Sequence, residues 1–143
     1  MNKGITLFIA IVITGTLLLI ATGMVNLAVR QSLISGSGRD SQMAFYAADT
    51  GMECALFWDV KNPTGQSAFA TSTGSQISCN GQNMVVGGTS QSVFAFNFSP
   101  DPYCASVTVT KSPSGATTIE SKGYNTCDLA NPRRVERAVR ASY

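Results

Sequence analysis

The chain has 143 residues, a formal net charge of +2 and no histidine. A net charge this small does not by itself indicate a nucleic-acid partner, and the absence of histidine removes the commonest general base and metal ligand. The composition therefore favours a scaffold or binding role over catalysis. We expect no enzyme, no cofactor, and no catalytic or metal-binding residues.

The first element is a run of apolar residues, 5–29, that carries no charge and no proline and follows Lys3 and Gly4. A helix of this length spans about 37 Å, which exceeds the roughly 30 Å of a bilayer's hydrocarbon core. A secretory signal has a shorter apolar stretch of about 7–15 residues, so a cleaved secretory signal is the weaker interpretation of this run. The run predicts a helix that starts in a membrane. Gly15 and Gly23 are small residues of the kind that lets such helices pack closely in lipid.

The helical pattern continues over residues 30–59, where apolar residues recur at three- and four-residue steps. This half of the helix is predicted to be amphipathic, with its apolar stripe packed on the rest of the chain. Gly36 and Gly38 predict a bend or a loosened turn, because each glycine costs about 1 kcal/mol in a helix interior. The stripe consists of Met43, Ala47, Gly51, Cys54 and Trp58, widened by Phe45, Met52 and Leu56.

Residues 60–143 predict a small antiparallel β-sheet head. Strands are expected over residues 91–98, 103–110 and 116–124, with a turn at 111–115. A weaker strand is expected near 76–80 and a closing strand within 133–143, while 64–74 and 83–90 are expected to be loops. Alternation places Phe94, Phe96 and Phe98 on one face, where they most often form a core.

Four cysteines, even in number and without a CxxC pair, favour two disulfides in an oxidising compartment over a zinc site. Four cysteines allow three pairings, and spacing alone does not choose among them. We expect the two pairings that join neighbouring segments: Cys54 with Cys79, and Cys104 with Cys127.

Four arginines near the end of the sequence form a local basic run opposed only by Glu136. Such a run is most often a solvated strand face or an ion-pair surface between subunits, and nucleic acid is the weaker candidate partner. The run consists of Arg133, Arg134, Arg137 and Arg140.

Two segments resemble the type IV pilin family and its pseudopilin relatives. Lys3 and Gly4 ahead of the apolar helix are similar to a short leader, and residues 38–53 are similar to the helix of minor pilins. The resemblance implies an α+β fold, with a long N-terminal α-helix packed on the antiparallel head. It also implies that prepilin peptidase cuts between Gly4 and Ile5, and that Ile5 becomes N-methylated.

The implied organisation is a leader (1–4), a membrane-spanning and assembly half of the helix (5–29), an amphipathic half (30–59) and a disulfide-reinforced head (60–143). The implied function is a structural filament subunit that is stored in the bacterial cytoplasmic membrane and then polymerised at the cell surface. Its implied partners are copies of itself, other pilins and the inner-membrane assembly machinery.

One position departs from the family. Most major pilins have a glutamate five residues into the processed chain, and the corresponding residue here is Ile9. This difference favours an accessory subunit. Two alternatives stay open: a membrane-anchored adhesion domain that never polymerises, and a hydrolase that uses carboxylates alone. The hydrolase needs two paired acids, and no pattern brings together the acids of the sheet region: Asp101, Glu120 and Asp128.

Overall fold

The computed structural model describes residues 3–69 and 74–143, and within them the chain forms one helix and six strands. The fold is α+β, as predicted. In chain order the elements are α1 (Lys3–Val60), β1 (Ser75–Cys79), β2 (Gln82–Val86), β3 (Gln91–Asn97), β4 (Cys104–Lys111), β5 (Thr117–Tyr124) and β6 (Glu136–Ser142). The chain divides into two compact units, one ending at Gly38 and one beginning at Arg39.

The first unit is helical from Lys3 onward, and its apolar side chains are exposed. Gly36 and Gly38 both lie within α1, so the helix is not interrupted at these two residues. A glycine costs a helix about 1 kcal/mol, and this cost does not end a helix that continues on both sides. By length and composition α1 could cross a membrane.

The second unit packs residues 39–60 of α1 against an antiparallel sheet of order β3-β4-β5-β6. Alternate residues of β3, β4 and β5 are buried, which is the period that a half-buried strand requires. The resulting core contains Met52 and Ala55 from the helix and Phe94, Phe96, Ala105, Val107, Val109 and Ile119 from the sheet.

Close approach between helix and sheet depends on two glycines. A Cβ at Gly123 of β5 would overlap the backbone atoms Ala44 O and Ala48 N. A Cβ at Gly51 of α1 would lie 2.8 Å from Val107 Cγ2 and would also overlap Ser121 Oγ. The missing side chains therefore let β5 lie directly on the helix backbone.

The strand predictions for β1, β3, β4, β5 and β6 are confirmed, with ends that differ by a few residues. Phe94 and Phe96 are buried, and Phe98 follows β3 and packs against the core. One stripe residue is corrected: Phe45 does not widen the buried face, because it is 48% exposed although it lies two helical turns from buried Met52.

The predicted loop over residues 83–90 is wrong in its first half, which forms β2. Strands β1 and β2 make a hairpin around Asn80 and Gly81, with Cys79 opposite Gln82. Both turn residues have positive φ, 49° and 72°, as a tight two-residue hairpin turn requires. The other predicted loop, 64–74, falls partly on residues 70–73, which lie outside the described residues.

Candidate assembly surfaces

The N-terminal unit presents a helix whose apolar surface has no cover within the described chain. None of its most apolar window is buried, and its large side chains, such as Phe8, Leu19 and Ile34, are 69–75% exposed. Soluble monomers rarely expose so large a contiguous apolar surface. Lipid or other protein chains must therefore cover this helix.

Three threonine hydroxyls of that helix are satisfied within the helix itself. The Thr14 hydroxyl donates to Ala10 O at 2.8 Å, and the Thr16 hydroxyl donates to Ile13 O at 2.9 Å. The Thr22 hydroxyl makes the same type of bond to Leu18 O at 3.1 Å. Because these hydroxyls use backbone acceptors of their own helix, the helix can enter an apolar environment without leaving these three donors unpaired.

The sequence-predicted residues of this unit lie along the same helix. The Gly4–Ile5 bond lies in its first turn, and Ile5 is 63% exposed. No atom lies within 4 Å of a Cβ built at Gly15 or Gly23, so both glycines leave open room for a neighbouring helix.

The second half of α1 has an outward face opposite the core. Residues on this face follow three- and four-residue steps and mix apolar with acidic side chains. Phe45, Tyr46, Phe57 and Val60 are 47–63% exposed, and Glu53 is also exposed. We call this set, together with Asp49, the outward helix face.

The structure separates the four arginines of the C-terminal run. The Arg134 guanidinium stacks 3.7 Å from the centroid of the Tyr124 ring, and its Nε donates to Thr126 O. The Arg137 Nε donates to the Ser41 hydroxyl of the helix at 2.8 Å. Arg133 and Arg140 are exposed. The run is therefore not one continuous patch, and Arg134 is committed to an internal contact.

One of the expected cysteine pairs is a disulfide and the other is not. Cys54 of α1 is bonded to Cys79 of β1, so this bridge ties the helix to the small hairpin. Cys104 and Cys127 are free thiols, and the second expected bridge is not formed in the structure. The two side chains remain neighbours, and this contact affects the pKa of Cys104. Burial and this contact with Cys127 raise the pKa of Cys104 to about 12.

This difference between the two thiols is testable by alkylation. Without reduction at pH 8, we expect iodoacetamide to modify exposed Cys127 at least roughly tenfold faster than Cys104, because only a thiolate is nucleophilic. Peptide mass spectrometry over a time course measures both rates, and Cys54 and Cys79 serve as protected controls. Equal rates would contradict the difference in exposure and pKa between the two thiols. Protection of all four cysteines would show that the second bridge forms.

A cluster around Asp59 was not anticipated from the sequence. The Asp59 side chain lies in the last turn of α1 and is only 2% exposed. Lys111 Nζ is 2.6 Å from Asp59 Oδ1, the Tyr143 hydroxyl donates to Oδ2 at 2.5 Å, and the Ser67 hydroxyl also donates to this carboxylate. Burial alone raises the pKa of Asp59, but these three hydrogen bonds outweigh it and hold the pKa below its ordinary value.

A shallow cavity of about 530 Å³ lies on the sheet, and residues of the 125–135 segment form part of its wall. Its floor comes from residues paired across three strands: Asn97 lies opposite Cys104, which lies opposite Tyr124. Gln82 closes one side by donating to Asn97 O at 2.8 Å. No cluster of metal-ligating side chains occurs in the described part of the chain.

A protein-family model matches part of the chain. Residues 3–53 match the protein-family model described as PilX N-terminal, which covers the apolar half of α1 and most of its amphipathic half. No curated protein and no solved structure matches the chain. The matched segment contains Gly4, Ile5, Gly15 and Gly23, and it ends at Glu53 on the outward helix face. The matched part of α1 is therefore similar to the N-terminal segment of the type IV pilus minor pilin PilX.

Proposed function

We propose that this chain is a structural subunit of a type IV pilus or a pilus-like filament. The observation that carries the proposal is the exposed apolar helix within a segment that matches the PilX N-terminal model. Such a helix is stable in a bilayer, and it is also stable in a bundle of similar helices that replaces lipid contacts with protein contacts.

The proposed sequence of events begins with the helix in the bacterial cytoplasmic membrane and the sheet unit outside. Prepilin peptidase cuts between Gly4 and Ile5, Ile5 is N-methylated, and the inner-membrane machinery moves the subunit into a filament at the cell surface. Contacts between unlike surfaces of successive subunits then extend the filament without closing it.

The internal hydrogen bonds of Thr14, Thr16 and Thr22 support this transfer, because these hydroxyls need no bond to water or to lipid headgroups. The segment before Asp40 contains no carboxylate, and this also favours the transfer, since an unpaired charge in a bilayer is costly.

The test is the native N-terminus together with the cellular fraction that contains the chain. We expect mass spectrometry of sheared surface filaments to find this chain starting at Ile5 and carrying one added methyl group. In a Gly4→Val variant, where the added side chain lies beside the scissile bond, we expect the uncut precursor in the membrane fraction only.

A Gly15→Val variant is the matched control, because it adds the same side chain inside the helix and away from the bond. We expect this variant to be cut normally but to reach filaments less, since the added atoms fill the open space at Gly15. Wild-type protein that keeps Met1 and occurs only as membrane-bound monomers would overturn the proposal. That outcome would favour a membrane-anchored adhesion domain.

A further inference from the structure

Strand β6 is the edge of the four-stranded sheet, and part of its backbone points away from that sheet. Among the described strands it pairs with β5 alone, residue for residue along its length. Directly after β6, the backbone N–H of Tyr143 donates to Thr117 O, and the N–H of Thr117 donates to Tyr143 O. Doubly bonded positions alternate along an antiparallel pair, so the odd-numbered residues of β6 bond to β5. The N–H and C=O groups that face the open edge belong to the even-numbered residues Glu136, Ala138, Arg140 and Ser142.

These edge-facing backbone groups have no hydrogen-bond partner within residues 3–69 and 74–143. Such a row of groups is a template for a further strand, and natural proteins protect it with proline, lysine or a bulge. Strand β6 contains neither proline nor lysine, and its register with β5 has no bulge. The edge is therefore able to accept another strand.

The side chains of the edge-facing residues share the face of the sheet that lies away from α1. Arg140 pairs with the partly exposed Glu120, whereas Arg137 pairs with the buried Gly123. Gly123 lies on the backbone of α1, so its neighbour Arg137 is on the helix side of the sheet. Glu136 and Arg140 are therefore on the outer face, where both are exposed.

The charges of this edge complement a second copy of the same edge. When two β6 strands lie antiparallel with Ala138 opposite Ala138, Glu136 of each copy lies opposite Arg140 of the other. All three pairs join edge-facing residues, and each pair can exchange two backbone hydrogen bonds. Opposite charges directly across an antiparallel pair are stabilising.

Among the possible registers, this one alone pairs both charges. A shift by one residue sets edge-facing groups against groups that already bond to β5, so the hydrogen bonds cannot form. A shift by two residues separates Glu136 from Arg140 in both places. A shift by four residues sets Arg140 opposite Arg140, or Glu136 opposite Glu136, and such like charges are destabilising.

The other charges of the outer face are compatible with this register. Lys122 of β5 lies 3.6 Å from Glu120 and 3.7 Å from Glu136, and all three side chains are 42–47% exposed. Arg140 has no ion-pair partner within 4 Å in the part of the chain that the structure describes. In the paired copies it lies between two carboxylates, Glu120 of its own chain and Glu136 of the second copy. The two copies of Lys122 stay about 14 Å apart, because both β6 strands separate them.

The helix side of the contact sets no like charges directly opposite each other. Arg137 lies opposite Val139 of the second copy in this register. Its Nε donates to the Ser41 hydroxyl of its own helix at 2.8 Å, so its charged end is held away from the second copy. Val139 packs against the core of its own chain.

We propose that two copies of this chain pair through their β6 strands, antiparallel and centred on Ala138, with two Glu136–Arg140 ion pairs across the contact. The contact has twofold symmetry and closes on itself, so it does not extend a filament and goes beyond the proposed function. One strand edge is a small interface, and we expect the pair to be transient.

Cysteine crosslinking of the full-length chain in detergent tests the register and captures a transient pair. In Ala138→Cys, the two positions 138 face each other at a Cα–Cα distance of about 5.5 Å, which a disulfide can span. We expect mild oxidation to give a dimer, and we expect mass spectrometry to locate its link at position 138 of both chains.

Ser142→Cys is the matched control, because Ser142 is also exposed and edge-facing on the same strand. Position 142 lies opposite position 134 in the proposed register, so two copies of position 142 are about 27 Å apart. We expect this variant to form its dimer at least roughly tenfold more slowly, since a disulfide cannot span that distance. Equal rates at positions 138 and 142, or links through Cys104 or Cys127 alone, would overturn the proposal.

The ion pairs are tested by mixing two charge variants, each in the Ala138→Cys chain. Arg140→Glu leaves a carboxylate at both 136 and 140, and Glu136→Arg leaves a guanidinium at both. Two chains of the same variant then repel each other, whereas one chain of each variant restores both ion pairs. We expect the mixed disulfide dimer to exceed either same-variant dimer by roughly tenfold. The statistical proportions of the three dimers, measured by intact mass, would overturn the pairing of Glu136 with Arg140.

Discussion

An Asp59→Ala variant is expected to lose about 3 kcal/mol of unfolding free energy, the low end of the cost of breaking a buried ion pair. The Asp59 side chain is 2% exposed, so its loss leaves the Lys111 ammonium and the Tyr143 and Ser67 hydroxyls without their common acceptor. The low end applies because the Lys111 side chain is 25% exposed and can regain water. Denaturant unfolding of the detergent-solubilised chain, followed by circular dichroism, measures the change.

The same cluster predicts how stability depends on pH. The pKa of Asp59 is lower in the folded chain than its ordinary value of 3.8. A depressed carboxyl pKa contributes stability that is fully present above the unfolded-state pKa and is lost as the pH falls through the folded-state pKa. We therefore expect the melting temperature to decrease as the pH is lowered below about 4. In Asp59→Asn we expect the melting temperature to depend less on pH over the same range.

Asp101→Ala is the matched control for Asp59→Ala. Asp101 is exposed and accepts one hydrogen bond from the hydroxyl of Tyr103. Its removal is expected to change the unfolding free energy by less than about 0.5 kcal/mol. Equal effects of the two substitutions would contradict the assigned role of the Asp59 cluster.

The position of Asp59 explains why the cluster matters. A carboxylate in the last turn of a helix faces the negative end of the helix dipole, and α1 has no basic residue there. Lys111 supplies the missing positive charge from the end of β4, and Tyr143 adds a donor from beyond β6. The cluster thus fastens the end of the helix to two strands of the sheet.

Local patterns predicted the elements of this fold well because burial on one face produces a readable period. The alternation of β3 and β4, the uncharged run of α1 and the turn at Gly115 are all visible in the sequence. The β1–β2 hairpin was missed although Asn80 and Gly81 carry the strongest short hairpin signal, because the polar Gln82 and Asn83 concealed the strand that follows.

Long-range polar contacts had no such signal. Lys111 and Tyr143 are 52 and 84 residues from Asp59, and no periodicity or motif connects them. The different environments of the four C-terminal arginines could not be predicted for the same reason. Whether Arg134 or Arg140 remains free depends on Tyr124 and Glu120, and these residues come close only when β5 and β6 pair.

The second large effect is expected at Gly123, where β5 meets the helix backbone. We expect Gly123→Val to lower the unfolding free energy by about 4 kcal/mol, above the usual range for overpacking, because the overlapping atoms are Ala44 O and Ala48 N. Backbone atoms cannot move aside without breaking the bonds of α1. Denaturant unfolding of the full chain measures the loss.

Gly51→Ala separates a backbone clash from a side-chain clash at the same interface. Its Cβ meets Ser121 Oγ and Val107 Cγ2, which are side-chain atoms, so we expect a smaller loss of about 1–2 kcal/mol. Ser121 Oγ is buried without a hydrogen-bond partner among the described residues. Adding Ser121→Ala removes that atom, and we expect it to restore most of the stability lost in Gly51→Ala.

The same Ser121→Ala change is not expected to rescue Gly123→Val, because that clash is with the helix backbone. Gly38→Ala is the open control: nothing lies within 4 Å of its Cβ, and a helix gains up to about 1 kcal/mol from this substitution. Rescue of Gly123→Val by Ser121→Ala, or equal losses at Gly51 and Gly123, would show that β5 does not lie directly on the helix. A larger loss of stability in Gly123→Val than in Gly51→Ala, with rescue by Ser121→Ala only in Gly51→Ala, would establish that β5 lies directly on the backbone of α1.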